Sequence, residues 1–165
     1  MAYQYEVFEM NYYIDIQHAC HDPLPISNEI LTHWAITTLK PHCEKAELTL
    51  RFVDLAEITE LNHTYRKQNK ATNVLAFPAS HPDELPLDYP LLGDVIVCPT
   101  VLQDESQSLK TNLDAHWAHI IIHGILHLLG YDHIIETDAE KMRSLEITLL
   151  SSLGFDNPYK DNTFE

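Results

Sequence analysis

Apolar residues recur along this chain at two different periods. Between Ala46 and Asp54, Leu48, Leu50 and Phe52 alternate with Thr49, Arg51 and Val53, the period of a strand with two unlike faces. Tyr5 to Ile16, rich in Tyr, Val, Phe and Ile, predicts an earlier strand. Asn73 to Phe77 and Leu91 to Cys98 predict two more, the second with Gly93 and Asp94 inside it. Elsewhere the period is helical. Ser27 caps a helix running to about Leu39, with Ile30, Leu31, Trp34 and Leu39 as its buried stripe, and Pro41 stops it. Asp54 caps a short helix to about Arg66, and Pro99 opens another to about Leu109. Thr111 or Asn112 caps the most apolar helix, which ends near Leu129 and Gly130. Its Trp117, Ile120, Ile121, Ile122, Ile125, Leu126, Leu128 and Leu129 occupy most of the circumference, so it belongs in a core. Thr137 to Leu153 predicts a last amphipathic helix closed by Gly154. His21 to Pro25 is a turn, Lys67 to Thr72 a polar loop, and Ala79 to Pro90 a proline-rich loop. Helices interleaved with three or four strands fit an α+β or α/β class. The expectation is α+β: a small mixed sheet packed with helices around one buried helix.

Composition narrows the function. A chain of 165 residues favours one domain spanning all of it. Ten Lys and Arg against 25 Asp and Glu give −15 with the 11 His neutral. That balance argues against coating DNA or an anionic membrane as the main role. No apolar run approaches the roughly 18 residues of a membrane span, and Met1 to Met10 shows no secretory pattern. Cys20, Cys43 and Cys98 are scattered and odd in number, which suits a reducing cytoplasm better than a disulfide framework.

The informative stretch is His123-Gly-Ile-Leu-His127-Leu-Leu-Gly130-Tyr-Asp-His133. His123 and His127, four apart on a helix, stand one above the other on one face. Gly130 accepts the left-handed conformation that ends a helix, and the reversal can return His133 to the same ion. Three imidazoles leave a fourth tetrahedral position open, the mark of a catalytic zinc site. Copper or nickel could bind the same ligands. The spacing also matches His-Glu-x-x-His-x-x-Gly-x-x-His of the metzincin proteases, except that their basic Glu is Gly124 here. Glycine cannot move a proton, so a peptidase reading lacks its base. His116 and His119 extend the stripe, the four His lying within roughly an 80° arc. His119, one turn from His123, either supports a ligand or faces substrate; we take substrate binding as its expected role.

Charge is uneven. Residues 60 to 75 hold Arg66, Lys67 and Lys70 against Glu60 alone, whereas residues 76 to 109 hold six acids and no Lys or Arg. A cluster of that size suits one or two phosphates, not a long duplex.

With these residues in view, the chain resembles the YbeY family of bacterial endoribonucleases. The resemblance rests on His123 to His133. It continues through Leu61-Asn62 with Tyr65-Arg66, Thr72 to Pro78, Leu92 to Ile96 and Ala115 to His119. It runs from about Met10 to Tyr159, and residues 1–9 look like an extension ahead of it. The resemblance implies a single-domain α+β metalloprotein with one zinc ion on His123, His127 and His133. It further implies cleavage of single-stranded RNA, in maturation of 16S ribosomal RNA and in ribosome quality control. The family's important arginine falls on Arg66, whose guanidinium forks onto phosphate oxygens and stays charged; Lys67 and Lys70 stand beside it as further substrate contacts. The expected partners are single-stranded or ribosomal RNA and the ribosome or its proteins, with neither membrane nor DNA. The alternatives are a zinc peptidase of metzincin spacing and a non-catalytic ribosome assembly factor containing zinc.

Overall fold

A computed structural model describes residues 11–79 and 90–159. The start of the first predicted strand, the possible extension and most of the proline-rich loop lie outside the described residues. Four strands form one mixed sheet in the order β1-β2-β4-β3. β1 (Tyr12–Ala19), β2 (Ala46–Val53) and β4 (Leu91–Val97) run parallel, and β3 (Val74–Pro78) lies antiparallel to β4 at the edge. The helices are α1 (Asn28–Leu39), α2 (Leu55–Arg66), α3 (Pro99–Ser108), α4 (Leu113–Leu128) and α5 (Glu136–Ser152). This is the expected α+β arrangement. Among the described residues, no helix is long and apolar enough to cross a membrane.

The alternation in β2 has a consequence on both faces. Leu48, Leu50 and Phe52 join Val95 and Val97 of β4 in the main core, under α4, α1 and α5. Val53 points the other way and is also buried, because Ile58 of α2 packs there with Leu75, Ile96 and Cys98. Two residues depart from expectation. Ile30 is exposed, since it lies about 100° around the helix from Leu31, on the solvent side, while Ala35 and Thr38 complete the buried stripe. Asp54 occupies the N-cap position of α2 but makes no capping bond; its carboxylate takes the backbone N–H of His21 at 3.2 Å and Nδ1 of that residue at 2.9 Å. Ser27 and Asn112 do cap, accepting from Ile30 N and Ala115 N.

What positions the site is the seating of α4. Its Trp117, Ile121, Ile122, Ile125 and Leu126 are fully or almost fully buried. At Gly124 the helix comes so close to the sheet that a Cβ would lie 2.7 Å from Cγ1 of Val95 and 3.2 Å from Cγ2 of Val74. A glycine in mid-helix costs about 1 kcal/mol in propensity. Here it permits contact with β3 and β4 that no other residue would. His116, at the start of the histidine stripe, is buried and bonded at 2.9 Å to Glu105 of α3, which also accepts from Asn73. It ties helices together.

Candidate metal centre

The histidines of α4 follow from its rotation. With Gly124 against the sheet, His123 and His127 emerge on an adjoining face. Their Nε2 atoms are 3.1 Å apart and their rings nearly perpendicular, centroids 4.6 Å apart. The helix then ends in two bonds of a Schellman turn, Gly130 N–H to His127 O and Tyr131 N–H to Leu126 O, both 3.0 Å. Gly130 sits at φ +100°, where its missing side chain has open space around it. Its glycine identity thus serves backbone conformation alone, unlike Gly124.

Beyond the turn the chain is held at each residue. The Tyr131 hydroxyl donates to Nε2 of His42 at 3.0 Å, and the other ring nitrogen of His42 lies 3.2 Å from the Thr38 carbonyl. Asp132 Oδ1 accepts from the backbone N–H groups of His133 and Ile134. These contacts bring the His133 ring parallel to that of His123, centroids 5.6 Å apart at 22°, and 5.1 Å from that of His127. One nitrogen from each of the three lies within 4.8 Å of the others.

The donor set fits a tetrahedral ion. Two Zn–N bonds of 2.0–2.1 Å at the tetrahedral angle place their nitrogens about 3.3 Å apart, close to the His123–His127 separation. His123 and His127 are half-buried and His133 is exposed, so one side of the group faces solvent. Burial, then the neighbouring His123 and His133 rings, push His127 down to about 4. Its ring is therefore neutral, with a lone pair to offer a metal, near pH 7.

A residue absent from the sequence reading organises the centre. Glu146 of α5 is fully buried. Oε2 of Glu146 lies 2.5 Å from Nδ1 of His123, and Oε1 accepts from Tyr159 OH and lies 3.2 Å from Nε2 of His119. Burial pushes this carboxyl up, but hydrogen bonds from His119, His123 and Tyr159 outweigh it and hold the group at about 2. Tyr159 is pushed well above the ordinary phenol range by burial and then by Glu146. An ionised carboxylate only accepts, so His123 carries a proton on Nδ1, which leaves Nε2 as the nitrogen that a metal ion would take. The signal was available: Ala139, Met142, Glu146, Leu149 and Leu150 form the buried stripe of α5, with one carboxylate among apolar side chains. His119 is engaged with Glu146 and with the Tyr159 hydroxyl at 3.1 Å, the supporting geometry of the two its spacing allowed.

Arg66 closes α2 on the far face of the sheet and reaches its β3 edge. The ladder bonds of Asn73 to Cys98 and of Ala79 to Leu92 leave the intervening Ala76 carbonyl on the open side of β3. Arg66 Nη2 donates to that carbonyl at 2.7 Å, and its Cζ lies 5.2 Å from the Phe77 ring centroid. Val74, the residue against Gly124, is two positions away on the same strand face, about 7 Å along it. Lys67 takes the left-handed position after α2 at φ 61°, and Lys70 follows in an exposed loop. Buried Asn62 pins that loop, donating to the Lys70 carbonyl at 2.9 Å.

Known proteins resemble this chain over most of its length. Residues 21–154 match the family model described as Endoribonuclease YbeY. A protein of that name from Legionella pneumophila is 54% identical over 151 residues, 92% of this chain and 96% of that protein. One from Pseudomonas fluorescens is 51% identical over 149 residues, 90% of this chain and 97% of that protein. The solution structure of a Thermotoga maritima protein matches with TM-score 0.55 and 24% identity, over 84% of this chain and 91% of that one. At that identity the match speaks to the fold.

Proposed function

The chain belongs to the endoribonuclease YbeY family, and from that premise we propose that it cleaves single-stranded RNA at a zinc centre held by His123, His127 and His133. The carrying observation is the convergence of three imidazoles, one of them oriented by a buried carboxylate. Zinc bound there would supply a Lewis acid and lower the pKa of a coordinated water to about 7. Glu146 fixes the His123 tautomer, and His119 and Tyr159 fix Glu146. Arg66 holds the scissile phosphate. One of its N–H groups is engaged by Ala76, which anchors the guanidinium and leaves further donors for phosphate oxygens. Lys67 and Lys70 add charge to neighbouring phosphates. RNA carries its own 2′-OH, so the chemistry does not require a protein base at position 124.

Ribosomal RNA is the substrate this reading favours, in maturation of the small-subunit RNA. The −15 charge suits docking on basic ribosomal proteins, which would supply affinity that three basic residues cannot. A cytoplasmic location follows from that substrate. The peptidase alternative meets a physical obstacle. Position 124 faces Val95 and Val74, so the metzincin glutamate has no room there. The test is metal analysis followed by incubation of the metal-loaded protein with single-stranded RNA and with casein, Arg66→Ala serving as control. RNA cleavage that falls in the variant supports the proposal; casein turnover without RNA cleavage overturns it.

A further inference from the structure

Phosphate binding leaves one feature at the end of α2 unused. Tyr65, beside Arg66, is 61% exposed. Among the described residues its hydroxyl has no hydrogen-bond partner. Its ring meets Phe77 of β3 with centroids 5.3 Å apart and planes at 65°. Phe77 also carries the Arg66 guanidinium and packs beneath into the smaller core with Ile58, Leu75 and Ile96. Phe77 thus holds two neighbours in place: an aromatic ring and a cation, both presented to solvent at the sheet edge. Lys67 and Lys70 continue the positive charge on a loop fixed by Asn62.

An open aromatic face next to fixed cations matches the chemistry of an unpaired nucleotide. Every base offers a π-face, while the backbone between bases offers negative charge. A paired strand keeps its base faces stacked inside the helix and cannot use such a ring. Resting on the endoribonuclease reading, we propose that Tyr65, backed by Phe77, is a stacking site for an unpaired base next to the phosphate held by Arg66. It is a determinant of single-strand preference.

The test is equilibrium binding of a 2′-O-methylated RNA hexamer, verified intact after titration, to the zinc-loaded protein. Its counterparts are an abasic hexamer and a hairpin duplex. Tyr65→Leu, which keeps an apolar contact on Phe77, is expected to weaken hexamer binding by about 5- to 100-fold, the range for one base on one aromatic ring. Tyr65→Phe stays within about twofold. The abasic hexamer binds wild type and Tyr65→Leu alike, as does the duplex. Hexamer binding by Tyr65→Leu equal to wild type overturns the stacking site, as does an equal loss on the abasic hexamer. In that case wild type still binds the hexamer and Arg66→Ala still weakens it. If wild type neither binds the hexamer nor cuts RNA, the endoribonuclease reading itself fails, and the stacking site with it.

Discussion

Glu146 and His123, 23 residues apart and on different helices, share the shortest histidine–carboxylate contact among the described residues, Oε2 to Nδ1 at 2.5 Å. The carboxylate accepts at Nδ1 and so fixes Nε2 as the nitrogen that a metal ion would take. Glu146→Gln keeps the shape but can offer its NH₂ where an acceptor is required. Zinc affinity, read by chelator competition, should fall about 10- to 100-fold, with the secondary structure of the loaded protein unchanged.

Elemental analysis of protein purified without a polyhistidine tag should find one zinc per chain. His127→Ala should lose it, because two imidazoles do not complete a site. Full occupancy in that variant would remove His127 from the ligand set.

The stability of the metal-free chain should follow two titrations. His127 lies at about 4 in the folded protein against 6.5 ordinarily, so the unfolded chain binds the extra proton between those values. Stability therefore falls as pH drops from about 6.5 to about 4. Glu146 lies at about 2 against 4.5; its contribution is present above 4.5 and lost as pH falls toward 2. Melting temperature against pH checks both, His127→Gln flattening the upper limb and Glu146→Gln the lower.

Arg66→Ala should retain fold and zinc. Its bond to Ala76 is exposed, so losing it costs at most about 1 kcal/mol of stability. RNA cleavage should fall about 100-fold or more, the scale for one donor aimed at transition-state charge. Single-turnover assays at matched zinc occupancy decide; wild-type rates would remove the phosphate role.

Gly124→Ala tests the seating of α4. Alanine gains about 1 kcal/mol in helix propensity, but its methyl meets Val95 at 2.7 Å. Forcing a methylene into a packed core costs about 1–3 kcal/mol, so the net effect should be destabilising in denaturant titrations. Gly124→Glu should be worse and acquire no casein activity.

Much of the centre was legible because helical spacing is a rigid rule. His123, His127, the reversing glycine and His133 fall where four-residue spacing and a left-handed turn require. The class and the places of the strands were legible too: β2 states its period plainly, and β4 is a short apolar run between Pro90 and Pro99. Glu146 and Tyr159 were missed because their partners are distant in the chain, and periodicity reports which face is buried but not what meets it. Ile30 was misplaced for a related reason: an apolar residue is compatible with either side of a stripe boundary. Asp54 has the right residue type and backbone for a cap, yet His21, a long-range neighbour, competes for its oxygens.

The dependence of His123 on Glu146 also orders events in time. A ribosome makes the three imidazoles before it makes α5 and Tyr159. A nascent chain can thus display all three candidate ligands while His123 still lacks the carboxylate that orients it. Only when α5 has docked on α4 would a metal centre on these residues be complete. If the proposed activity is correct, a partly made nuclease is held back from the RNA of the machine producing it, with no inhibitor required.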